Sequence, residues 1–344
     1  MDDVSLTIAG KASFNVKPLP SQDDFTKDAR VLVLSTIKAS LPPLDEPLGQ
    51  AAAHHFADTG KMLRAGLALA TANKLKINSE ASLYWSAAIE VMHNASLVHD
   101  DISDGDTTRR DRPSIWAAFG RDTALALGDW LIGLSFELSA KAACIAREPQ
   151  LVSVLAKHMK ETTSGQAMEF EASHYPEWHE YLKIIRGKTA PLFIAPVEGM
   201  ALVAGREDMV GPITQYFNAV GTAYQVANDI LNIIGEDGAL NPASDLMRRA
   251  PNGVIVTFRN TLVGDDRDSF DQWLSRADHK NTSYWHQRIL ASSAINITCE
   301  FMSGILEEAE MKALSIPDEL SDIVEPVQQL LASICAKSIR HAAE

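Results

Sequence analysis

Two aspartates four residues apart are the first candidates for chemistry in this chain. Asp100 and Asp104, with Asp101 between them, lie in the run 98–104. Residues i and i+4 share one face of a helix, so the two carboxylates would repel each other unless a cation neutralises them. Mg²⁺ prefers oxygen ligands and is commonly held by carboxylates together with substrate phosphates. The spacing predicts a site for a magnesium-bound phosphate, and a solvated acidic helix end is the alternative at this point.

Basic residues lie on both sides of this acidic run in the sequence. Arg109 and Arg110 follow it, and Lys61 and Arg64 stand three apart upstream. Arginine binds phosphate oxygens through two parallel hydrogen bonds, and residues three apart are neighbours on a helix surface. Each of these cations taken alone is an ordinary surface charge. Together they predict one site for a metal-bound diphosphate and a second diphosphate site without metal.

Helices are the elements that must position these side chains. Apolar residues recur every three or four positions in most long segments, which is typical of amphipathic helices. The run 253–258 is the only β-like segment, and it is short. The predicted helices include residues 79–101, 121–146, 150–174, 179–201, 212–236, 283–310 and 318–339.

The same pattern predicts one large all-α domain. We expect an irregular N-terminal arm over residues 1–22, where Gly10, Pro18 and Pro20 interrupt a polar sequence, and the all-α domain over residues 23–344. The sequence shows no internal repeat and no linker rich in glycine, serine or proline. Two stacked helical subdomains are the alternative, on length alone.

The composition argues against several classes of protein. The chain has 344 residues and a net charge of −14, so cations are scarce for general nucleic-acid binding. Cys144, Cys299 and Cys335 lie far apart without a CxxC pair, which argues against a disulfide framework or a zinc site. No apolar run reaches the ~18 residues of a membrane span, and the N-terminus lacks a secretory signal. We therefore predict a cytoplasmic protein with no nucleic-acid partner and no membrane span.

The order of several motifs resembles the trans-prenyl diphosphate synthases, or polyprenyl synthetases. The matches run in family order over about residues 60–236, and an ordered set is more specific than any one motif. The resemblance implies the isoprenoid synthase fold, a single-domain helical bundle around a central cavity. The matching motifs are Gly60-Lys61-x-x-Arg64, His93 seven residues before Asp100, the acidic run, Arg109-Arg110, Gly165-Gln166-x-x-Glu169, Gly187-Lys188-Thr189 and Tyr224-Gln225-x-x-Asn228-Asp229-x-x-Asn232.

The resemblance also implies a reaction. In the family, an allylic diphosphate ionises with the help of Mg²⁺, isopentenyl diphosphate attacks the cation, and the departing diphosphate takes up the proton that is lost. A homodimer is usual. By this comparison Asp100 and Asp104 hold Mg²⁺ and Asp101 supports them. Arg109, Lys188, Thr189 and Gln225 would complete the allylic site, Lys61, Arg64, His93 and Arg110 would bind isopentenyl diphosphate, and Asn228, Asp229 and Asn232 would form the second metal motif.

That second motif departs from the family pattern. Asn228 and Asn232 replace two of its three carboxylates, and amide oxygens bring no negative charge, so we expect metal binding there to weaken. Ala65 stands where the family usually has proline. The family's lysine after the motif has no clear counterpart, and Arg248 or Arg249 is the candidate substitute.

These departures leave two alternatives open. Asn228, Asn232 and Glu236 nearly match the spacing of terpene cyclase metal sites, which favours a cyclase or an unusual prenyl transferase on the same fold. The second diphosphate site argues against a cyclase. The other alternative is a non-catalytic partner subunit of a prenyl synthase. The intact first motif argues against it, because a structural partner has no need for repelling carboxylates.

The residues before Asp100 give an expectation for product length. The helix there is expected to line a tunnel for the growing chain. Ser96 and Ala95 are small, so no aromatic floor stops the product early, and Met92 is a candidate for a later stop. We predict a product of C20 or longer.

Overall fold

Helices form most of the polypeptide, so the predicted all-α class is confirmed. The computed structural model describes residues 5–7, 13–15, 22–170, 174–236, 242–275 and 280–323. The α-helices within them are α1 (Gln22–Ala39), α2 (Pro47–His55), α3 (Leu63–Lys74), α4 (Ser79–Asp104), α5 (Ile115–Phe119), α6 (Arg121–Ala146), α7 (Gln150–Phe170), α8 (Trp178–Thr189), α9 (Pro191–Val203), α10 (Val210–Ile234), α11 (Ser244–Arg248), α12 (Gly253–Thr261), α13 (Asp265–Leu274), α14 (Thr282–Leu290) and α15 (Ala294–Ala313).

Two small antiparallel pairs of strands are the only sheet structure in these ranges. β1 (Ser5–Thr7) pairs with β2 (Ser13–Asn15) inside the segment predicted as an irregular arm. β3 (Thr108–Arg109) pairs with β4 (Arg112–Pro113) just after α4, and this hairpin carries the paired arginines. Short 3₁₀ turns cover Glu207–Met209 and Asp318–Ile323. The rest of the predicted helix over 318–339, and Cys335, lie outside the described residues.

The helix α4 carries the first acidic motif at its carboxyl end. The side chain of Asn78 caps its start by accepting hydrogen bonds from the backbone N–H groups of Glu80 and Ala81, at 2.9 and 3.1 Å. Gly105, at φ 71°, ends it in the left-handed conformation that glycine adopts without strain. The helix therefore runs three residues beyond its predicted end at 101. Asp100 and Asp104 lie on its last two turns.

Three details of the predicted elements were wrong. Residues 179–201 form two helices, because Pro191 has no N–H to continue the first one. Residues 283–310 also form two helices, and the hydroxyl of Ser292 accepts a hydrogen bond from Ala294 N at the start of the second. The β-like run 253–258 is helical: Asn252 caps it, and every residue in it is buried, so no amphipathic period marks it.

Buried apolar side chains of the described residues form three clusters, of which one contains Trp85 and Leu155. Val33, Val91 and Leu131 belong to a cluster around α4 and α6, which pack against each other extensively. Phe217 and Trp285 belong to a second cluster built by α8–α10 and the later helices. No single described helix is both long and apolar enough to cross a membrane, although α14 and α15, bent by 63°, together have the required length and composition.

Candidate active site

A cavity of about 670 Å³ collects most of the predicted site residues. Side chains of α3, α4, α6, α7, α8, α9 and α10 line it, so the predicted central cavity is present. Asp104 lines a second cavity of about 570 Å³, together with Glu169 and Arg248. The predicted site residues in the first cavity are Lys61, Arg64, His93, Asp100, Arg109, Arg110, Lys188, Thr189 and Gln225.

Asp100 is the carboxylate of the first motif that faces this cavity. Burial, opposed by Lys188 and assisted by the charge of Asp104, raises its pKa from 3.8 to about 6. A raised carboxyl pKa means that the surroundings stabilise the charged form less well than water does. A cation bound between Asp100 and a substrate phosphate would supply that stabilisation.

Asp101, the next residue, is buried and forms an ion pair with Arg109. It is only 1% exposed, and its Oδ1 accepts a hydrogen bond from Nε of Arg109 at 2.7 Å and forms an ion pair with Nη2 of the same guanidinium. Burial raises the pKa of Asp101, while Arg109 lowers it. Since Arg109 also lines the cavity, Asp101 acts by orienting this guanidinium toward the site.

Lys188 reaches the same end of the cavity from α8. Its Nζ donates to Oε2 of Glu169 at 2.9 Å. Burial lowers its pKa, but the charges of Glu169 and Asp100 outweigh burial and raise it above its usual value, so the amine stays charged. Gly165 allows this approach, because a Cβ on it would lie 2.4 Å from the backbone N of Lys188. The two glycine motifs noted in the sequence thus meet where α7 and α8 touch.

A second group of cations lines the cavity around His93. Arg64 Nη1 is 3.1 Å from His93 Nε2, and its guanidinium lies over the ring of Phe193, 4.4 Å from the centroid. Glu90, which is buried, accepts a hydrogen bond from the backbone N of Ala65 at 3.3 Å and attracts Arg64. Burial, followed by the charges of Arg64 and Arg110, lowers the pKa of His93 well below its usual value. His93 is therefore neutral at pH 7.

Arg110 lines the cavity and contacts the loop before α3. It donates from Nη1 to the backbone carbonyl of Asp58. Its guanidinium lies against Gly60, where a Cβ would come within 2.9 Å of Nη2. Gly60 also has a φ of 60°, which favours glycine. The loop therefore brings Lys61 and Arg110 to one edge of the cavity, as the sequence predicts for a diphosphate site.

The one carboxylate of the second motif is buried, whereas Asp100 of the first motif lines the cavity. Asp229 is 1% exposed and accepts hydrogen bonds from Tyr181 Oη at 2.6 Å, Gly253 N at 2.7 Å and Gln225 Nε2 at 3.0 Å. Burial, and then the charge of Asp245, raises its pKa above its usual value. Asn228, Asp229 and Asn232 are absent from the described linings of both large cavities. Their predicted role as metal ligands stays a prediction.

Several residues that shape the site were not predicted from the sequence. Glu90 fixes Arg64, Tyr181 binds Asp229, and Asp245 pairs with Arg248. A charged residue inside the apolar run 87–92 was the one signal available for Glu90, because a buried acid needs a cationic partner. Tyr181 and Asp245 carry no such signal, since only the fold brings them to the second motif.

Magnesium fits the first motif better than the second. Asp100 and Asp104 are hard oxygen donors on one helix face, and the Oδ2 atom of Asp101 is buried without a hydrogen-bond partner among the described residues. No group of three or more His, Cys, Asp or Glu side chains in the described part of the chain converges on one point. A metal at Asp100 and Asp104 would therefore share its coordination with a phosphate ligand.

Known proteins match both the sequence and the fold. A family model described as polyprenyl synthetase matches residues 45–289. A short chain isoprenyl diphosphate synthase of Methanocaldococcus jannaschii is 31% identical over 226 residues, 65% of this chain and 69% of that protein. A geranylgeranyl diphosphate synthase of Saccharolobus solfataricus is 29% identical, over 68% of this chain and 71% of that protein. The crystal structure of a decaprenyl diphosphate synthase from Rhodobacter capsulatus superposes with a TM-score of 0.77 at 22% identity, covering 92% of this chain and 97% of that one.

Proposed function

The chain belongs to the polyprenyl synthetase family, and on that premise we propose that it is a prenyltransferase that condenses isopentenyl diphosphate with an allylic diphosphate. The membership confirms the resemblance found in the order of the motifs. The observation that carries the proposal is one cavity lined by two groups of cations. Lys188 and Arg109 act on Asp100, Arg64 and Arg110 act on His93, and Arg109 lies close enough to act on His93 as well. Two diphosphates can bind there at once.

The allylic diphosphate binds on the Asp100 side. Mg²⁺ held by Asp100 and Asp104 would stabilise the negative charge that develops on the leaving diphosphate. Lys188 and Arg109 donate hydrogen bonds to the same group, and both are held in place beforehand by Glu169 and Asp101. Preorganised donors of this kind need no rearrangement when the bond breaks. The side-chain oxygens of Thr189 and Gln225 line the cavity near the allylic carbon and stabilise its positive charge.

Isopentenyl diphosphate binds on the opposite side, without metal. Arg64, Arg110 and Lys61 supply positive charge, and neutral His93 adds a polar group beside Arg64. In this proposal the double bond of isopentenyl diphosphate faces the allylic carbon. The new carbon–carbon bond forms there, and the proton that is lost passes to the departed diphosphate.

The apolar part of the cavity takes the growing chain. Met92, Ala95 and Ser96 of α4 line it, facing Ile132 and Met159. No aromatic side chain stands among the three α4 residues, which supports a product of C20 or longer. As the resemblance implies, we also propose a homodimer. We propose that it works in the cytoplasm, as predicted from the sequence.

A terpene cyclase is the second candidate. It would share the Asp100 side of the cavity but would have no use for Arg64, His93 and Arg110 as a second diphosphate site. These three converge on one side of the described cavity, which favours elongation. A non-catalytic partner subunit would have no need for a half-buried carboxylate at Asp100 whose pKa is raised.

Product identification tests the proposal. The full-length protein is incubated with Mg²⁺, isopentenyl diphosphate and each allylic diphosphate from C5 to C20, and the products are identified by mass spectrometry. We expect longer prenyl diphosphates. Hydrocarbons or alcohols formed from an allylic diphosphate alone would replace the proposal with cyclisation, and no conversion of any substrate would favour the partner subunit.

A further inference from the structure

Arg248 lies between the two acidic motifs and binds a carboxylate at each side. Its Nη1 is 2.7 Å from Oδ1 of Asp104, and its Nη2 is 2.8 Å from Oδ1 of Asp245. Nη1 also donates to the backbone carbonyl of Asp104 at 3.2 Å. Asp104 is the last residue of α4, and Asp245 lies in α11, the next described helix after the one that carries the second motif. One guanidinium therefore joins the first motif to the segment that follows the second.

The side chains of the second motif support this arrangement. Asn232 donates from Nδ2 to Ser244 Oγ at 2.8 Å, and its Oδ1 accepts a hydrogen bond from the backbone N of Asp245 at 3.2 Å. Asn252 Nδ2 donates to the other oxygen of Asp245 at 2.9 Å. Asp245 is thus oriented from two sides, with its Oδ1 directed to Arg248.

The charges around the second motif also favour an arginine over a divalent cation. The three acidic positions of the second motif retain one carboxylate, Asp229, and its oxygens accept hydrogen bonds from Tyr181, Gln225 and Gly253. Arginine is permanently charged, and its planar fork matches carboxylates. A divalent cation between the motifs would have to displace these charge-assisted hydrogen bonds.

We propose that Arg248 takes the place of a divalent cation at the second motif, so that the site takes up metal only at the first motif. Its guanidinium pairs with one oxygen of Asp104, Oδ1, keeps the end of α4 against α11 and supplies a fixed positive charge in the second cavity. Arg248 is a positioning residue, since it acts through Asp104. This inference rests on the proposed function, because it concerns the metal ions that accompany the diphosphate substrate.

Counting bound Mn²⁺ tests this inference without any turnover. Mn²⁺ replaces Mg²⁺, and electron paramagnetic resonance measures the ions bound per chain, with and without inorganic diphosphate. Arg248→Gln removes the charge and leaves Asp104 and Asp245 uncompensated. We expect this variant to bind one Mn²⁺ more per chain than the unaltered protein, and Mn²⁺ to raise its Tm more than that of the unaltered protein.

Arg206→Gln is the matched control, because Arg206 also bridges two carboxylates, Asp208 and Glu319, but lines neither large cavity. It should bind the same number of Mn²⁺ ions as the unaltered protein. An equal or smaller number in Arg248→Gln would overturn the inference.

A second variant keeps the inference testable if Arg248→Gln does not fold. Asn228→Asp adds a carboxylate to the second motif while Arg248 remains. The inference predicts no additional Mn²⁺, and one additional ion per chain would contradict it. A failure of the proposed function would instead appear as missing elongation products, whatever the Mn²⁺ count.

Discussion

Arg64 and His93 share a hydrogen bond that has only one possible direction. The guanidinium Nη1 and the imidazole Nε2 are 3.1 Å apart, and arginine can only donate. His93 Nε2 must therefore accept, which places the ring proton on Nδ1 and keeps the ring neutral. The lowered pKa of His93, caused by burial and then by Arg64 and Arg110, agrees with this assignment. His93 thus orients the guanidinium that we expect to bind isopentenyl diphosphate.

Removal of His93 should weaken the binding of isopentenyl diphosphate. His93→Ala is expected to raise KM for this substrate about tenfold, since a hydrogen bond to a charged group contributes on the order of 1.5 kcal/mol. The kcat should change less. Steady-state kinetics measure both, with His179→Ala, at an exposed position of α8, as the control. An unchanged KM would contradict the role of His93.

Asp100 and Asp101 should differ in what they contribute. Asp100→Asn is expected to lower kcat about a thousandfold, because it removes a metal ligand worth several kcal/mol to the leaving group. The same substitution should leave the free energy of unfolding unchanged or raise it, since Asp100 is a poorly compensated carboxylate. Asp101→Asn should lower the free energy of unfolding by about 2 kcal/mol, because it breaks a largely buried ion pair with Arg109.

Chemical denaturation and turnover of the two variants check this difference. Substantial turnover by Asp100→Asn would contradict the assignment of Asp100 as a metal ligand. Equal stability of the unaltered protein and Asp101→Asn would contradict the role of Asp101 as the partner that holds Arg109.

A bulky residue in the apolar part of the cavity should shorten the product. Ala95→Phe is expected to shift the main product to a shorter prenyl diphosphate, because the ring would occupy the space beside Met92 and Ile132. Mass spectrometry of the products measures the shift. Ala140→Phe, at an exposed position of α6, is the matched control. If product length stays the same in Ala95→Phe, the growing chain does not run along this part of α4.

Stability should fall as the pH is lowered toward 4, in part because of His55. Burial lowers the pKa of His55 from 6.5 to about 4, against the opposing hydrogen bond to Asn94. Below pH 6.5 the unfolded chain takes up a proton at this position while the folded protein does not, so folding stability is lost until the pH reaches about 4. The expected loss between pH 7 and 5 is on the order of 1 kcal/mol.

Urea denaturation at several pH values measures this contribution as the difference between the unaltered protein and His55→Gln, which keeps a donor for Asn94. The variant should lose less stability than the unaltered protein over this range. Parallel pH profiles for the two proteins would show that His55 does not cause the dependence.

The sequence predicted the first motif and the cations of the site, because the residues within each motif are close in sequence and the order of the motifs resembles the family. The sequence did not predict the long-range contacts. Arg248 meets Asp104 across 144 positions of sequence, and Tyr181 meets Asp229 across 48. Such pairs depend on how α4, α8, α10 and α11 pack. The sequence also left the secondary structure of the run 253–258 unclear. Every residue in it is buried, and such a segment has no hydrophobic period that separates helix from strand.

Incorporation of isotope from isopentenyl diphosphate tests the central claim most directly. The protein is given Mg²⁺, farnesyl diphosphate and isopentenyl diphosphate labelled with ¹³C at all five carbons, and the products are analysed by mass spectrometry. We expect prenyl diphosphates heavier than farnesyl diphosphate by whole labelled five-carbon units, lost when isopentenyl diphosphate is omitted and greatly reduced in Asp100→Asn. An unlabelled hydrocarbon or alcohol, or no product at all, would contradict the proposal that this chain elongates prenyl diphosphates.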